Sequence, residues 1–301
     1  MDIEAIRRKV DARRAIEDIF IREDFFEISP MIFQDYDDYI RLNDGLSSRE
    51  VIKIIDASGD VKVLRPDITS VIGESMINME SKESIKKFYY SSSVFRNDEK
   101  RGAIEIAQIG GEILYDNDMD TVCSIVDMVV EMNSKYNGDF ILEVGNAKFL
   151  DELLKSLKCD EKKKILGYLR NKNFDDLRKY SDEKGLNDIM IVLDMVMKNQ
   201  GGIEAVEKLE SLKIGDSFNK YIQELKILFT YLKDKDIDKY VHFDLSMVAS
   251  LDYYTGIIFS GYYYGQLGEV VSGGKYSIGE YDAIGFTMYM DKIYKSIEGS
   301  D

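Results

Sequence analysis

Five short blocks of the sequence set charged, hydroxyl or amide groups close together, four of them beside glycine or proline. Leu64-Arg65-Pro66-Asp67-Ile68-Thr69 reads as a strand end leading into a helix, and it places a carboxylate beside a hydroxyl. Val94-Phe95-Arg96 opens a charged loop and is followed by Gln108-Ile109-Gly110-Gly111-Glu112. Alternate residues of a strand share a face, so Gln108, Gly110 and Glu112 point the same way and leave a gap between two polar groups that suits a small polar ligand. The remaining blocks are Leu251-Asp252-Tyr253-Tyr254-Thr255-Gly256 with Phe259, and Gly273-Gly274-Lys275-Tyr276 followed by Ile284-Gly285-Phe286. Taken singly, each has a structural explanation. Arg65 and Arg96 read as surface ion-pair residues, the glycines as turns, and Tyr253, Tyr254, Tyr262, Tyr263 and Tyr264 as sheet packing. Their joint order carries more than any one of them.

The elements that must position these blocks follow from periodicity. Ile3, Ile6, Val10, Ile16, Ile19 and Phe20 recur at helical spacing, so the chain begins with an amphipathic helix. Phe25 to Pro30 reads as a strand, Glu50 to Asp56 and Val61 to Leu64 as a hairpin about Ser58-Gly59-Asp60, and Ile68 to Met79 as a helix. Lys87 to Phe95 and Ile104 to Leu114 form a second hairpin around a loop at Arg96 to Gly102. A helix at Met119 to Met132 and a strand at Phe140 to Val144 precede a run of charged amphipathic helices, Lys148 to Lys233, broken at Gly201-Gly202. Strands return at Val241 to Leu245, Ile257 to Tyr264, Glu269 to Val271 and Ala283 to Tyr289, before a last helix at Met290 to Ile297. The pattern is α+β: an antiparallel sheet flanked by helices, with residues 147–235 as a helical insertion between 1–146 and 236–301.

Composition narrows the chemistry. The 301 residues, 45% hydrophobic, can bury a sizeable core. A formal charge of -16 repels a phosphate backbone, which makes nucleic acid a poor partner. Cys123 and Cys159 lie in no CxxC or Cys/His cluster, so neither a disulfide framework nor a structural zinc site is expected, and no metal or cofactor is called for. His242 is the single histidine, which excludes mechanisms that need two. No apolar run approaches the roughly 18 residues of a membrane span, and Met1 to Phe20 mixes acidic with basic groups unlike a targeting signal. A cytoplasmic protein is expected.

In order and spacing the blocks resemble the catalytic core of histidyl-tRNA synthetase and of its paralogue, the regulatory subunit of ATP phosphoribosyltransferase. Phe26 to Pro30 looks like class II motif 1, a dimer-interface element, Phe95-Arg96 through Glu112 like motif 2, and Ala283 to Ile293 like motif 3. Leu251 to Phe259 resembles the histidine-specific Leu-Asp-Tyr-Tyr signature. The resemblance implies a class II aminoacyl-tRNA synthetase-like fold. It also implies a histidine pocket built from Asp67, Thr69, Arg96, Gln108, Glu112, Tyr253, Tyr254 and Tyr276. Carboxylate and neutral acceptors at Asp67, Thr69 and Gln108 would meet the α-ammonium, and the fork of Arg96 the α-carboxylate. Glu112 would accept from the imidazole N–H while a tyrosine hydroxyl meets the other ring nitrogen.

Against a synthetase the sequence departs where adenylation needs cations. Ala249 stands where an arginine precedes the Leu-Asp-Tyr-Tyr run; Tyr289-Met290-Asp291-Lys292 replaces Gly-Leu-Glu-Arg; Ile104 and Gly102 replace two arginines of motif 2, with Arg101 a partial substitute if the loop shifts register. Pro66-Asp67 is the regulatory paralogue's form of Pro-Glu, and the sequence ends at Asp301 where a synthetase would continue for about another hundred residues of anticodon-binding domain. The resemblance therefore implies a non-catalytic regulatory subunit. It would form a homodimer within a hetero-oligomer with the short-form ATP phosphoribosyltransferase catalytic subunit, and L-histidine would be its effector. The rival readings are a histidine-adenylating ligase and a ligand-free interaction scaffold.

Overall fold

Apolar residues three and four apart give the first helix, α1 (Ile3–Arg22), one buried face carrying Ala12, Ile16, Ile19 and Phe20. Asp2 caps it by accepting from the Glu4 backbone N–H at 3.0 Å. The computed structural model describes residues 2–42, 50–72, 85–136, 139–157, 159–211, 216–249, 254–278 and 281–298. The chain divides into two compact units, residues 1–116 with 278–301, and residues 117–277. The sequence-derived boundaries at 147 and 235 both fall inside the second unit.

In the first unit, β1 (Phe26–Glu27) runs parallel to β5 (Lys86–Asp98), which pairs antiparallel with β6 (Gly102–Leu114), which pairs antiparallel with β11 (Tyr281–Tyr289). Phe20 lies on one face of this ladder, stacked on Tyr89 and Phe286 with ring centroids 5.1 and 5.6 Å away. Gly111, cross-strand to both Tyr89 and Phe286, leaves the space that Phe20 fills. A separate three-stranded sheet has the order β2 (Phe33–Asp35), β4 (Val61–Leu64), β3 (Lys53–Ile55), with α2 (Tyr36–Leu42) beside it. The β3–β4 turn is the expected one: Asp56 accepts from the Ser58 and Asp60 N–H groups, and Gly59 adopts φ 90°. The last helix, α10 (Met290–Glu298), follows β11 directly.

The second unit opens with α3 (Met119–Ser134), capped by Asp118. Its strands run β10 (Val271–Ile278), β9 (Tyr254–Tyr263), β7 (Phe140–Asn146), β8 (Val241–Phe243). Between β7 and β8 lie the expected helices: α4 (Phe149–Ser156), α5 (Lys162–Arg170), α6 (Phe174–Lys184), α7 (Asn187–Lys198), α8 (Ile203–Glu210) and α9 (Asp216–Asp234). The Gly201-Gly202 break separates α7 from α8, and Gly201 at φ 137° bridges to Phe243.

Several boundaries differ from the sequence reading. The charged loop at Arg96 to Gly102 is mostly strand, because the β5–β6 ladder continues to Asp98↔Gly102. Asp98 accepts from the Lys100 and Arg101 N–H groups, closing a tight turn that needs no apolar residues. The strand read at Glu269 to Val271 begins at Val271 and runs to Ile278, so Gly273-Gly274 is strand. Gly274 at φ 153° sits at a bulge where a Cβ would meet the Ile257 carbonyl, at 2.5 Å. The Phe25 to Pro30 strand shrinks to Phe26–Glu27, and of the Ile68 to Met79 helix only 68–72 lies within the described residues, helical from 69. Among the described residues no helix is long and apolar enough to cross a membrane.

Candidate functional site

Three strands of the first unit present a grid of side chains on the face opposite Phe20. Its rows are Phe88, Glu112 and Gly285; Tyr90, Gly110 and Thr287; Ser92, Gln108 and Tyr289. Glu112 is almost wholly buried, and the space beside it exists because residue 285 has no side chain: a Cβ there would overlap the Glu112 carboxylate. The gap expected over Gly110 is not empty. The Tyr90 ring crosses it, and its hydroxyl is 2.7 Å from the Thr287 hydroxyl. Burial raises the Tyr90 phenol well above its ordinary pKa, and the Glu112 charge adds to this, while the Thr287 hydrogen bond opposes it. Tyr90 is thus a neutral floor.

The second wall is the Arg65 to Ser70 segment. Arg65 is buried; its Nε donates to the Ser93 carbonyl at 2.7 Å and its Nη1 to the Pro30 carbonyl. Its own N–H donates to the Ile32 carbonyl at 2.9 Å, and its carbonyl accepts from the Phe95 N–H at 3.0 Å. Arg65 is therefore no surface ion-pair residue but a clamp, and burial lowers its pKa. Arg96 fastens the next residue, donating from Nε to the Pro66 carbonyl at 2.9 Å. Asp67 caps the helix start: its two oxygens accept from the Ser70 N–H and hydroxyl at 2.7 and 2.9 Å. Burial raises the Asp67 carboxyl, against the lowering effects of Ser70 and then Arg96. Burial likewise raises the Tyr39 phenol, on which the charges of Asp67 and Arg96 act with opposite sign.

The hydroxyl beside Asp67 is thus that of Ser70, whereas Thr69 Oγ1 donates to Glu112 Oε1 at 2.8 Å. Of the candidate residues, Asp67, Thr69, Arg96, Gln108 and Glu112 all belong to this one unit. Tyr254 and Tyr276 are cross-strand partners in the second unit. Tyr253 lies outside the described residues. Sequence reasoning missed Tyr39, Ser70, Tyr90 and Thr287; only Ser70 carried a local signal, as the third residue after a capping aspartate. Arg101 does not shift register: it stays in the turn, largely exposed, 3.5 Å from Asp98.

A sequence model of the histidyl-tRNA synthetase family matches residues 2–293. The chain belongs to that family. Within it, an ATP phosphoribosyltransferase regulatory subunit of Clostridium kluyveri is 29% identical, over 97% of this chain and 78% of that protein. Among solved structures, an ATP phosphoribosyltransferase regulatory subunit/histidyl-tRNA synthetase from Bacillus halodurans C superposes with a TM-score of 0.86 at 20% identity, covering 97% of this chain and 79% of that one. The ATP phosphoribosyl transferase (HisG:HisZ) complex from Thermotoga maritima gives 0.75 at 19% identity, covering 93% of this chain and 96% of that one. The fold is that of the class II synthetase-like family members, a mixed sheet flanked by helices.

Proposed function

We propose that this protein is the non-catalytic regulatory subunit of ATP phosphoribosyltransferase, acting in the cytoplasm with the short-form catalytic subunit in the first step of histidine biosynthesis. The observation that carries the reading is a contrast within the family's own positions. By the resemblance, Asp67, Thr69, Arg96, Gln108 and Glu112 keep the family's pocket positions, and the Thr69–Glu112 and Arg96–Pro66 hydrogen bonds support that grouping; by the same resemblance Ala249, Ile104, Gly102, Tyr289 and Lys292 stand where adenylation would need arginines or open space. The name shared by relatives such as the one from Clostridium kluyveri supports it. In this reading histidine is the effector: its ammonium lies toward Asp67 and Gln108, its carboxylate toward Arg96, and its imidazole displaces the Thr69 hydroxyl from Glu112. Tyr253, Tyr254 and Tyr276 enter through the resemblance alone.

A homodimer is also part of the proposal. Phe26, Met31 and Phe33, in and after the motif 1 segment, are 72%, 64% and 53% exposed, an apolar surface that a second copy would cover. Residues 147–235 are read as an insertion in the synthetase-like body. The test is an assay of the short catalytic subunit with and without this chain. Stimulation by the chain, with inhibition by histidine only when it is present, is the expected result. Histidine-dependent exchange of pyrophosphate into ATP by the chain alone would instead make it a ligase.

A further inference from the structure

Along β9 and the residues after it, three tyrosines in a row alternate in fate, as a strand requires. Tyr263 is buried, edge-on to Phe140 at 5.8 Å, with its hydroxyl donating to Asn133 Oδ1 at 3.2 Å. Tyr262 and Tyr264 line an open groove of about 730 Å³ with Asp139, Ile141, Glu143, Lys239 and Tyr240, and Phe140 and Tyr263 also border it. The register places Ile141 against Tyr262 and Glu143 against Ser260 and His242, so the groove floor is the β7–β9 ladder of the second unit. Nothing in the histidine reading uses it.

We propose that this groove is a docking site for a basic side chain, an arginine, presented by a protein partner. The rings of Tyr262 and Tyr264 line the groove and attract a cation, Glu143 lines it with a carboxylate that a guanidinium fork can engage, and Asp139 adds a second negative charge. Lys239 lines the same groove, 5.3 Å from the centre of the Tyr240 ring, so it is one cation against two carboxylates. Glu269 and Asp244 add negative charge around Tyr262, and Lys172 adds a positive one near Glu143. Burial pushes the Glu143 carboxyl above its ordinary range, with Lys172 pulling it down and Asp244 pushing it up. Such a carboxylate gains from an incoming cation. An anion would meet the opposite field, and among the described residues no three His, Cys, Asp or Glu side chains are grouped to hold a metal ion.

A polypeptide fits better than a free solute because of the exposed Tyr264 that lines the groove and the exposed turn that follows it in sequence. Tyr264 is 83% exposed and Leu267, in the turn that follows, 90% exposed. A small cation would leave both in water, whereas a partner chain that inserts an arginine would cover them. The charge of -16 on the whole chain favours a basic surface on that partner.

The proposal rests on the assembly reading, and the partner it names is the catalytic subunit. The test measures association of the full-length chain with the short-form catalytic subunit of the same organism. Tyr264→Ala and Glu143→Gln are each expected to weaken it by roughly ten-fold or more, with no loss of melting temperature and an unchanged histidine titration. Added arginine amide should weaken the wild-type complex more than glycine amide at equal ionic strength. Wild-type affinity in both variants, or equal effects of the two amides, would overturn the groove assignment while leaving the assembly reading intact. A wild-type chain that does not bind the catalytic subunit would sink both, and that result is visible before any variant is made.

Discussion

Two sheet faces, one in each unit, set tyrosine beside a glutamate, buried at Glu112 and half-buried at Glu143, and they treat the carboxylate in opposite ways. At Glu112 the protein supplies the partners: Thr69 donates to the carboxylate, Gly285 makes room for it, and Tyr90 is tied to Thr287 alongside. At Glu143 the strand neighbours are Ser260 and His242, and the carboxylate faces an open groove. The first face is closed by its own hydroxyls, so a ligand there must compete with an existing hydrogen bond. The second leaves Glu143 lining open space, with the charges of Lys172 and His242 acting on it. Under the two proposals, affinity at the first would be set by an exchange of hydrogen bonds, and at the second by the addition of a counter-charge.

The strongest way to break this contrast is Gly285→Ala. The new methyl would occupy the position of the Glu112 carboxylate, so we expect a loss of about 1–3 kcal/mol in urea-melt stability, the usual range for overpacking, and no measurable histidine binding by calorimetry. Normal binding would mean that Glu112 does not face the ligand. Glu112→Ala should weaken histidine by about 1–3 kcal/mol, and an unchanged titration would place the effector elsewhere. A smaller effect is expected from pH. Asp67 is raised in the free protein, so the carboxylate that should meet the ammonium becomes protonated on acidification in a window above the ordinary carboxylate range. Histidine affinity should fall through that window, and Asp67→Asn should flatten the profile; a profile that Asn leaves unaltered would remove Asp67 from the site.

The smallest effect sharpens the other side of the comparison. Glu143 has its folded pKa raised, so the folded state holds its proton more tightly than the unfolded chain does, and stability is lost as pH rises through that range. Glu143→Gln should then be slightly more stable than wild type at neutral pH, by less than about 1 kcal/mol, with the gain vanishing below the unfolded carboxylate pKa. A destabilised variant at neutral pH would show that the ionised carboxylate already has an internal counter-charge of full strength.

The residues legible in the sequence were those whose meaning is local. Gln108 and Glu112 share a face because a strand has period two, and the hairpin at Ser58-Gly59-Asp60 announces itself through aspartate and glycine. The Tyr90 hydroxyl bond to Thr287 spans 197 positions, and its cause is the register of three strands rather than any nearby pattern. The supposed gap above Gly110 failed for the same reason: the ring that fills it arrives from the neighbouring strand. The clamp at Arg65 is not legible in the sequence, because a guanidinium satisfied by backbone carbonyls leaves no acidic partner there to find. The β5–β6 ladder ran past its apolar stretch because Asp98 could hold the turn without hydrophobic help.

The Arg65 clamp also sets where the chain can change length. Because residue 65 is fastened on both sides of its backbone and through its side chain, one residue gained or lost between Leu64 and Thr69 would turn Asp67 and Thr69 away from their partners. The Ala57 to Gly59 tip, held by a single aspartate, faces no such demand. Drift by insertion is thus open at one end of β4 and shut at the other.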